Sequence, residues 1–530
     1  MNKATILSVL VLLSAGVLSG CGGGPAGRPL SPVEASPDTE TIDGPIGRAS
    51  DFAQQCAADN TLARNSAGSL LPGYREGSRE IEQRFVRAYM NEAYLWYREV
   101  PLVDARLGSF RNVPYEDGIT HYFQSLRSQT LTANNKLKDR FSFVTTTADW
   151  KALSEAGVQN GYGADLAVLS GTVPRDIRVS LVHGDTPAAP QLRRGDRLLR
   201  VRTADGRLID VVNTRDADEI ELISALLFNP DAGTQLVMEF DRSGSGVVSA
   251  DLVAGEYTAQ SVHTSAAIAT GAGDDVGYLM VRNFNLPLEG QLQRAMTELK
   301  ARDVKDVVVD LRYNGGGYLY QSAQLAYMLA DPALSKDKVF ERMQYNDKRL
   351  RDNGSSNSLL KFMSTTTGRA GSGTERGKAL PNLGLKRVYV LTGPDTCSAS
   401  ESLINGLQGI DVEVIQIGST TCGKPYGFTA KDNCGMSYFP IEFVGVNEKG
   451  FGDFDEGFAP DCVVADDFGH QLGDVREGLL AAALHHREHG SCPAGTSRKL
   501  LSKSLGSPPP GLSTPLLTRD PLHTSKFLLP

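Results

Sequence analysis

The stretch VYVLTGPDTCSASESLINGLQGIDVEVIQIGSTTCGKPYGF, residues 388–428, decides how this chain folds. Its apolar, β-branched opening, Val388 to Leu391, reads as a buried strand that stops at the turn Thr392-Gly393-Pro394-Asp395. The small polar residues Thr396-Cys397-Ser398-Ala399-Ser400 follow, and then Leu403, Ile404 and Leu407 recur at helical spacing. Ser398 therefore stands where a strand gives way to a helix, among backbone N–H groups that have no intrahelical carbonyl. Such groups suit negative charge developing on a substrate oxygen. A second strand, Val412 to Ile417, leads into Gly418-Ser419-Thr420-Thr421-Cys422-Gly423-Lys424. Two adjacent parallel strands would bring Ser398 and Lys424 together.

That pairing has a chemical use. A serine hydroxyl is a weak nucleophile until a neighbouring base removes its proton. Lysine serves as that base only when neutral, which requires its pKa to fall from about 10.4 by roughly three units, as burial in an apolar pocket can achieve. Taken singly, either residue in such a Gly/Ser/Thr-rich loop is a turn residue. A third stretch changes the weighing: Asp310-Leu311-Arg312-Tyr313-Asn314-Gly315-Gly316-Gly317 also ends a strand (Val304 to Leu311) and opens a helix. Its glycines let backbone N–H groups approach a ligand closely.

Competing readings of the same residues are weaker. Gly418 to Lys424 has the spacing of a phosphate-binding loop, but Pro425 stands where Ser or Thr should bind magnesium, and proline there also removes the N–H. Cys397 is a second candidate nucleophile by position. Of eight histidines, His485, His486 and His489 ride a polar helix end, His523 lies in the tail, and His121, His183, His263 and His470 have no catalytic context, which leaves a Ser398–His–Asp arrangement as the lesser alternative.

These residues resemble the C-terminal processing, or tail-specific, peptidases, which carry a PDZ domain and a Ser/Lys pair. Ser398-Ala399-Ser400-Glu401 matches the family's nucleophile segment, Gly423-Lys424 the pair that holds its base, and Asp310 to Gly317 the segment that builds part of its oxyanion hole. The resemblance implies Ser398 as nucleophile, Lys424 as base, and the Gly316 and Ala399 amides as oxyanion donors, with no cofactor and no metal. Many members have a polar residue, often Gln, four positions after the lysine; here it is Phe428. The third catalytic member is thus unassigned, with Asp411 and Glu401 as candidates by proximity in sequence.

In chain order, residues 1–21 read as a signal peptide ending Leu18-Ser19-Gly20-Cys21, which resembles a lipobox with Cys21 as the lipidated residue. Gly22 after it, rather than Asp, implies by the same resemblance a lipid anchor in the outer membrane of a bacterial envelope, facing the periplasm. Residues 22–50, rich in Gly, Pro and Ser, read as a flexible linker. The six remaining cysteines argue for disulfides, with fifteen pairings open. Cys422–Cys434 across a hairpin ranks first and Cys462–Cys492 second; no close Cys/His cluster recommends zinc.

The chain is 530 residues long and 41% apolar, enough for several cores. Its 54 basic and 62 acidic residues leave a net charge of −8, which does not recommend nucleic acid as a partner. The expected fold class is multidomain α/β. Residues 51–147 form a helical N-terminal region, in which Glu80 to Val100 is the clearest helix. Residues 148–253 are a PDZ-like β-rich domain, where Gly161-Tyr162-Gly163-Ala164 resembles a loop that holds a peptide carboxylate and a peptide strand would be added to a sheet edge. Residues 254–495 are a peptidase domain with alternating strands and helices, by resemblance a crotonase/ClpP-like α/β core. Within it, 331–380 reads as a lid or surface loop, and Met436 to Val446 as a strand. Residues 496–530 read as a disordered tail.

The function implied is an envelope serine peptidase that hydrolyses unfolded or C-terminally exposed proteins through an acyl-enzyme. Its partners would be protein or peptide substrates, the membrane through the lipid, and an adaptor or a further copy of the chain. The alternative is an inactive, peptide-binding scaffold of the same fold. A thioester-processing enzyme of the crotonase type fails for want of a reason to export it.

Overall fold

The computed structural model describes residues 46–132, 134–270 and 274–496, together with the backbone of a strand at Lys526–Leu528. The expected signal peptide, Cys21 and most of the linker lie outside these residues.

A six-stranded sheet forms the centre. Its order is Val262–Ala269, Asp275–Val281, Asp306–Asp310, Arg387–Thr392, Glu413–Gly418 and Cys462–Val463. The first pair is antiparallel and every other pair parallel. Alternate side chains point to opposite faces, and both faces are covered. Leu279, Val281, Val307, Val309, Val388 and Val390 pack under the helices Leu288–Ala301, Leu319–Leu329 and Ala399–Gly409. Tyr278, Met280, Val308, Leu391, Ile415 and Ile417 pack under the helix Gly478–His489. That last helix starts at Glu477, whose carboxylate accepts from Leu480 N–H, and ends at Gly490 in the left-handed conformation. Parallel strands with crossover helices put the loops that follow strands Asp306–Asp310, Arg387–Thr392 and Glu413–Gly418 along one edge.

The β-rich region has its own core, built on Ile177, Val179, Leu198, Val201, Leu236, Met238 and Phe240. Its antiparallel strands run in the order Gly246–Val253, Gln235–Arg242, Arg197–Arg202, Asp176–Val182 and Ala164–Ser170, with Leu208–Asp210 beside Arg197–Arg202. Ala164–Ser170 stands at the edge, directly after Gly161-Tyr162-Gly163. Gly163 has φ +84°, and a Cβ there would lie 2.3 Å from Thr186 Oγ1. Arg194 fastens this region to the central sheet by donating to Asp466 at 2.7 Å and to the Tyr313 hydroxyl at 2.7 Å.

The N-terminal region has no separate core. Phe85, Tyr89, Tyr94 and Phe123 share one with Phe428, Met436, Tyr438, Phe439 and Ile441. Its main helix runs Arg79–Ala93, capped by the Ser78 hydroxyl, and stops well before Pro101. Tyr94 turns extended, and Leu95 N–H donates instead to Ile441 O at 2.7 Å. A tertiary hydrogen bond, rather than proline, ends the helix.

Four further expectations change. The segment 331–380 contributes two strands, Val339–Tyr345 and Leu359–Lys361, to a second sheet. Phe340 and Met343 are buried beneath it, although the polar residues Glu341, Arg342 and Gln344 around them mask the pattern. Met436 to Val446 is two strands, Met436–Phe439 and Phe443–Val446, because Pro440 interrupts the ladder. Cys422 is bonded to Cys397 and Cys434 to Cys56, which overturns the pairing Cys422–Cys434; Cys462–Cys492 is present. Cys434 is carried away from Cys422 by the strand Tyr426–Thr429 and its turn, and meets the N-terminal region instead. Finally, the tail, read as disordered, contains the strand Lys526–Leu528.

Candidate active site

Strand Arg387–Thr392 ends in a turn fixed by side chains. Gly393 N–H donates to Thr396 Oγ1 at 2.9 Å, and that hydroxyl donates to Leu311 O at 2.8 Å. Cys397 N–H and the Ser400 hydroxyl both donate to Asn314 O, at 3.1 and 3.0 Å. The serine turn is therefore riveted to the glycine loop 314–317. Between these anchors Ser398 adopts φ 64°, ψ −115° and serves as N-cap of the helix Ala399–Gly409. This is a conformation that a residue with a Cβ rarely takes, and it costs about 1–3 kcal/mol. It turns the side chain out of a sharp strand-to-helix corner, an arrangement known for nucleophiles. Ser398 Oγ is buried and has no hydrogen-bond partner.

Glu401 joins serine to lysine. Its Oε2 accepts from Ser398 N–H at 2.9 Å and from Lys424 N–H at 2.8 Å; its Oε1 accepts from the Thr421 hydroxyl at 2.6 Å and Gly423 N–H at 2.8 Å. Burial pushes the Glu401 carboxyl above its ordinary pKa, and these four donors act against that rise. The disulfide Cys397–Cys422 closes the same junction covalently. Arg140 clamps it from outside, donating to Gly423 O at 3.2 Å and Asp455 O at 2.9 Å. Gly423 has φ +84°, and a Cβ there would lie 2.2 Å from Asp455 O, so only glycine permits this approach.

Lys424 is wholly buried. Its Nζ lies 4.4 Å from the centroid of the Phe428 ring and 5.2 Å from that of Phe141. Phe428 is in turn set edge-on against Phe143 and Phe439. Both rings stand close enough to the ammonium to attract it through the ring quadrupole. Phe141 and Arg140 come from the N-terminal region. Nothing in their sequence spacing announces this role.

Gly316 and Gly317 have φ +113° and +133°, and a Cβ on Gly317 would lie 2.2 Å from Phe284 O. Gly316 N–H, the expected oxyanion donor, is here given to Asn314 Oδ1 at 2.9 Å, so a substrate oxygen would have to displace that amide. Ala399 N–H opens the helix, where no intrahelical carbonyl faces it. Behind the loop, Arg312 bridges Asp310 and Glu477 at 2.8 and 2.6 Å and also donates to Asp466, so the Asp-Leu-Arg segment is a buried scaffold.

The structure does not bring the remaining candidates together. Asp411 is exposed and paired with Lys449, away from the junction. Sulfur and carboxylate of Cys397, Glu401 and Cys422 do meet, but the sulfurs are bonded to each other and offer neither a metal-binding thiolate nor a nucleophile. His183 pairs with Asp165, His470 with Asp467, and His485 stacks on His489. Gly161 to Ala164 lie in the β-rich region, at the head of its edge strand.

The model of peptidase family S41 matches residues 275–432, and that of the peptidase S41 N-terminal domain matches residues 82–143. The chloroplastic C-terminal processing peptidase of Tetradesmus obliquus is 25% identical over 219 residues, covering 39% of this chain and 46% of that protein. The carboxy-terminal processing protease CtpA of Bacillus subtilis is 22% identical over 329 residues, 61% of each chain. The chain thus spans about half to three-fifths of the length of these relatives. The crystal structure of a protein assigned to the S41 proteases of Bacteroides fragilis superposes with a TM-score of 0.57, at 24% identity, covering 76% of this chain and 97% of that one, so the fold is shared.

Proposed function

We propose that this chain, which the models of peptidase family S41 and of its N-terminal domain match, is a serine peptidase in which Ser398 is the nucleophile and Lys424 its base. The observation that carries this reading is the single oxygen, Glu401 Oε2, that receives both Ser398 N–H and Lys424 N–H. It ties the main chain at Ser398 to the main chain at Lys424 in a buried junction, next to a loop of closely approaching glycines. Lys424 takes the proton of Ser398 Oγ, and the alkoxide adds to a peptide carbonyl. The resulting oxyanion is met by Ala399 N–H and by Gly316 N–H once it leaves Asn314. The tetrahedral species collapses to an ester on Ser398, and the amine leaves with the proton from Lys424. Water then hydrolyses the ester by the same steps in reverse order. Glu401 is a positioning residue and touches no reacting atom.

The substrates of this reading are unfolded or C-terminally exposed proteins. The edge strand Ala164–Ser170, headed by Gly161-Tyr162-Gly163, supports peptide capture by strand addition, with Gly161 to Ala164 beside the carboxylate. Lipidation at Cys21 and a place on the outer membrane facing the periplasm complete the proposal.

The test is hydrolysis of a disordered model protein by the chain beginning at Cys21, beside Ser398→Ala and Lys424→Ala. Cleavage by the parent and by neither variant is expected. Loss in Ser398→Ala alone would overturn the lysine's role, and an inactive parent that still binds peptides would favour a scaffold. Labelling with a fatty acid, lost in Cys21→Ala, tests the anchor.

A further inference from the structure

The strand Lys526–Leu528 lies between two strands of the candidate active site. On one side it runs parallel to Gly317–Tyr318, with Gly317 opposite Lys526 and Tyr318 opposite Phe527. On the other it runs parallel to Tyr426–Thr429, with Phe428 opposite Phe527 and Thr429 opposite Leu528. The first neighbour begins one residue after Gly316, and the second begins two residues after Lys424. Taken away, the segment would leave two strand edges facing each other across about 9.6 Å, twice the ordinary strand spacing. Each edge would present N–H and C=O groups in the pattern that another extended main chain satisfies. The end of the segment at Lys526 lies beside the glycine loop, and both neighbours set its direction.

We propose that this slot is the subsite that takes an extended peptide during cleavage, and that the strand Lys526–Leu528 occupies it as an intramolecular competitor of the substrate. The proposal rests on the peptidase reading above for its consequence, but not for the binding it asserts. Recognition is through main-chain hydrogen bonds, so the slot accepts an extended strand with little demand on its sequence. A tethered segment acts at an effective concentration of about 1 mM, and a free peptide binding at about 0.1 mM would then face roughly tenfold competition. Competition of this kind raises KM and leaves kcat unchanged.

The test uses the full chain and a variant carrying Lys526→Pro together with Phe527→Pro, which removes two ladder donors while leaving residues 46–496 untouched. A fluorescent peptide of residues 522–530 is titrated into both by anisotropy, and both are assayed on a disordered model protein. The expected result is roughly tenfold tighter peptide binding by the variant, with a KM about tenfold lower and the same kcat. Equal peptide binding by parent and variant, or none by the variant, overturns the proposal whatever their activity. If the variant binds the peptide and the parent does not while neither cleaves, the slot stands and the peptidase reading fails. If both cleave alike and bind alike, the reverse holds. A parent KM that falls on dilution would assign the occupant to a second copy of the chain and overturn the intramolecular arrangement.

Discussion

Glu401→Gln and Glu401→Ala separate what this carboxylate does by its shape from what it does by accepting at both oxygens. Four donors converge on it, two at each oxygen, at 2.6–2.9 Å. In Glu401→Gln the amide oxygen can serve only one pair. The cheaper orientation keeps Ser398 N–H and Lys424 N–H on the oxygen and turns the NH2 toward Thr421 and Gly423. The Thr421 hydroxyl can rotate and accept, which leaves Gly423 N–H as the one buried orphan, at about 1–3 kcal/mol. Glu401→Ala orphans all four donors and opens a cavity, so the loss should be about 4 kcal/mol or more. Denaturant unfolding with unchanged m values measures both. Because burial raises the Glu401 pKa, the parent's contribution from this group is present below the unfolded carboxyl pKa and is lost as pH rises through the folded one. The deficit of Glu401→Gln should therefore shrink as pH rises above the ordinary carboxyl range. Turnover should fall modestly in Gln and by orders of magnitude in Ala, in kcat more than KM. Equal stability losses in the two variants would refute the bridging role.

Ser398→Gly should abolish cleavage yet stabilise the fold by about 1 kcal/mol, since glycine relaxes the strain at φ 64°, ψ −115°; thermal unfolding reads it. Glu82 accepts from Tyr115 and from Ala57 N–H in a buried site that raises its pKa to about 7. Its raised value favours the protonated fold, so about 3 kcal/mol present below pH 4.5 should be lost by pH 7 in the parent and not in Glu82→Gln, as unfolding midpoints across that range would record. Cys397→Ser with Cys422→Ser opens a loop with ends 25 residues apart, which loop-closure entropy values at about 3.5 kcal/mol. A midpoint shift much smaller than that, with kcat intact, would mean that Glu401 alone suffices to hold the junction.

What the sequence made legible were the parts set by local periodicity and punctuation. The strand–turn–helix around Ser398, the parallel neighbour leading to Lys424 and the glycine loop 314–317 all follow from β-branched runs that stop at Gly and small polar residues. Glu401 was visible as a neighbour of Ser398, but its role as a shared acceptor depends on how two loops fold onto it. Phe141 and Arg140 were illegible because they reach the lysine and the Gly423 carbonyl from the N-terminal region, through a core that mixes residues from both ends of the chain. Strand Val339–Tyr345 was hidden by its interleaved polar residues, and Lys526–Leu528 by its lack of any pattern longer than three residues.

The bond between Cys56 and Cys434 imposes an order in time. Its partners are 378 residues apart, so at a synthesis rate of 5–20 residues per second the first thiol waits about 20–75 s for the second. Cys397 and Cys422 are made in that interval and are each able to intercept it. The helices that precede Ser142 also await the aromatic residues 426–441 for the other half of their core. Maturation of this chain is thus gated by the arrival of its last third, and a machinery that delayed oxidation until then would raise the yield of native protein.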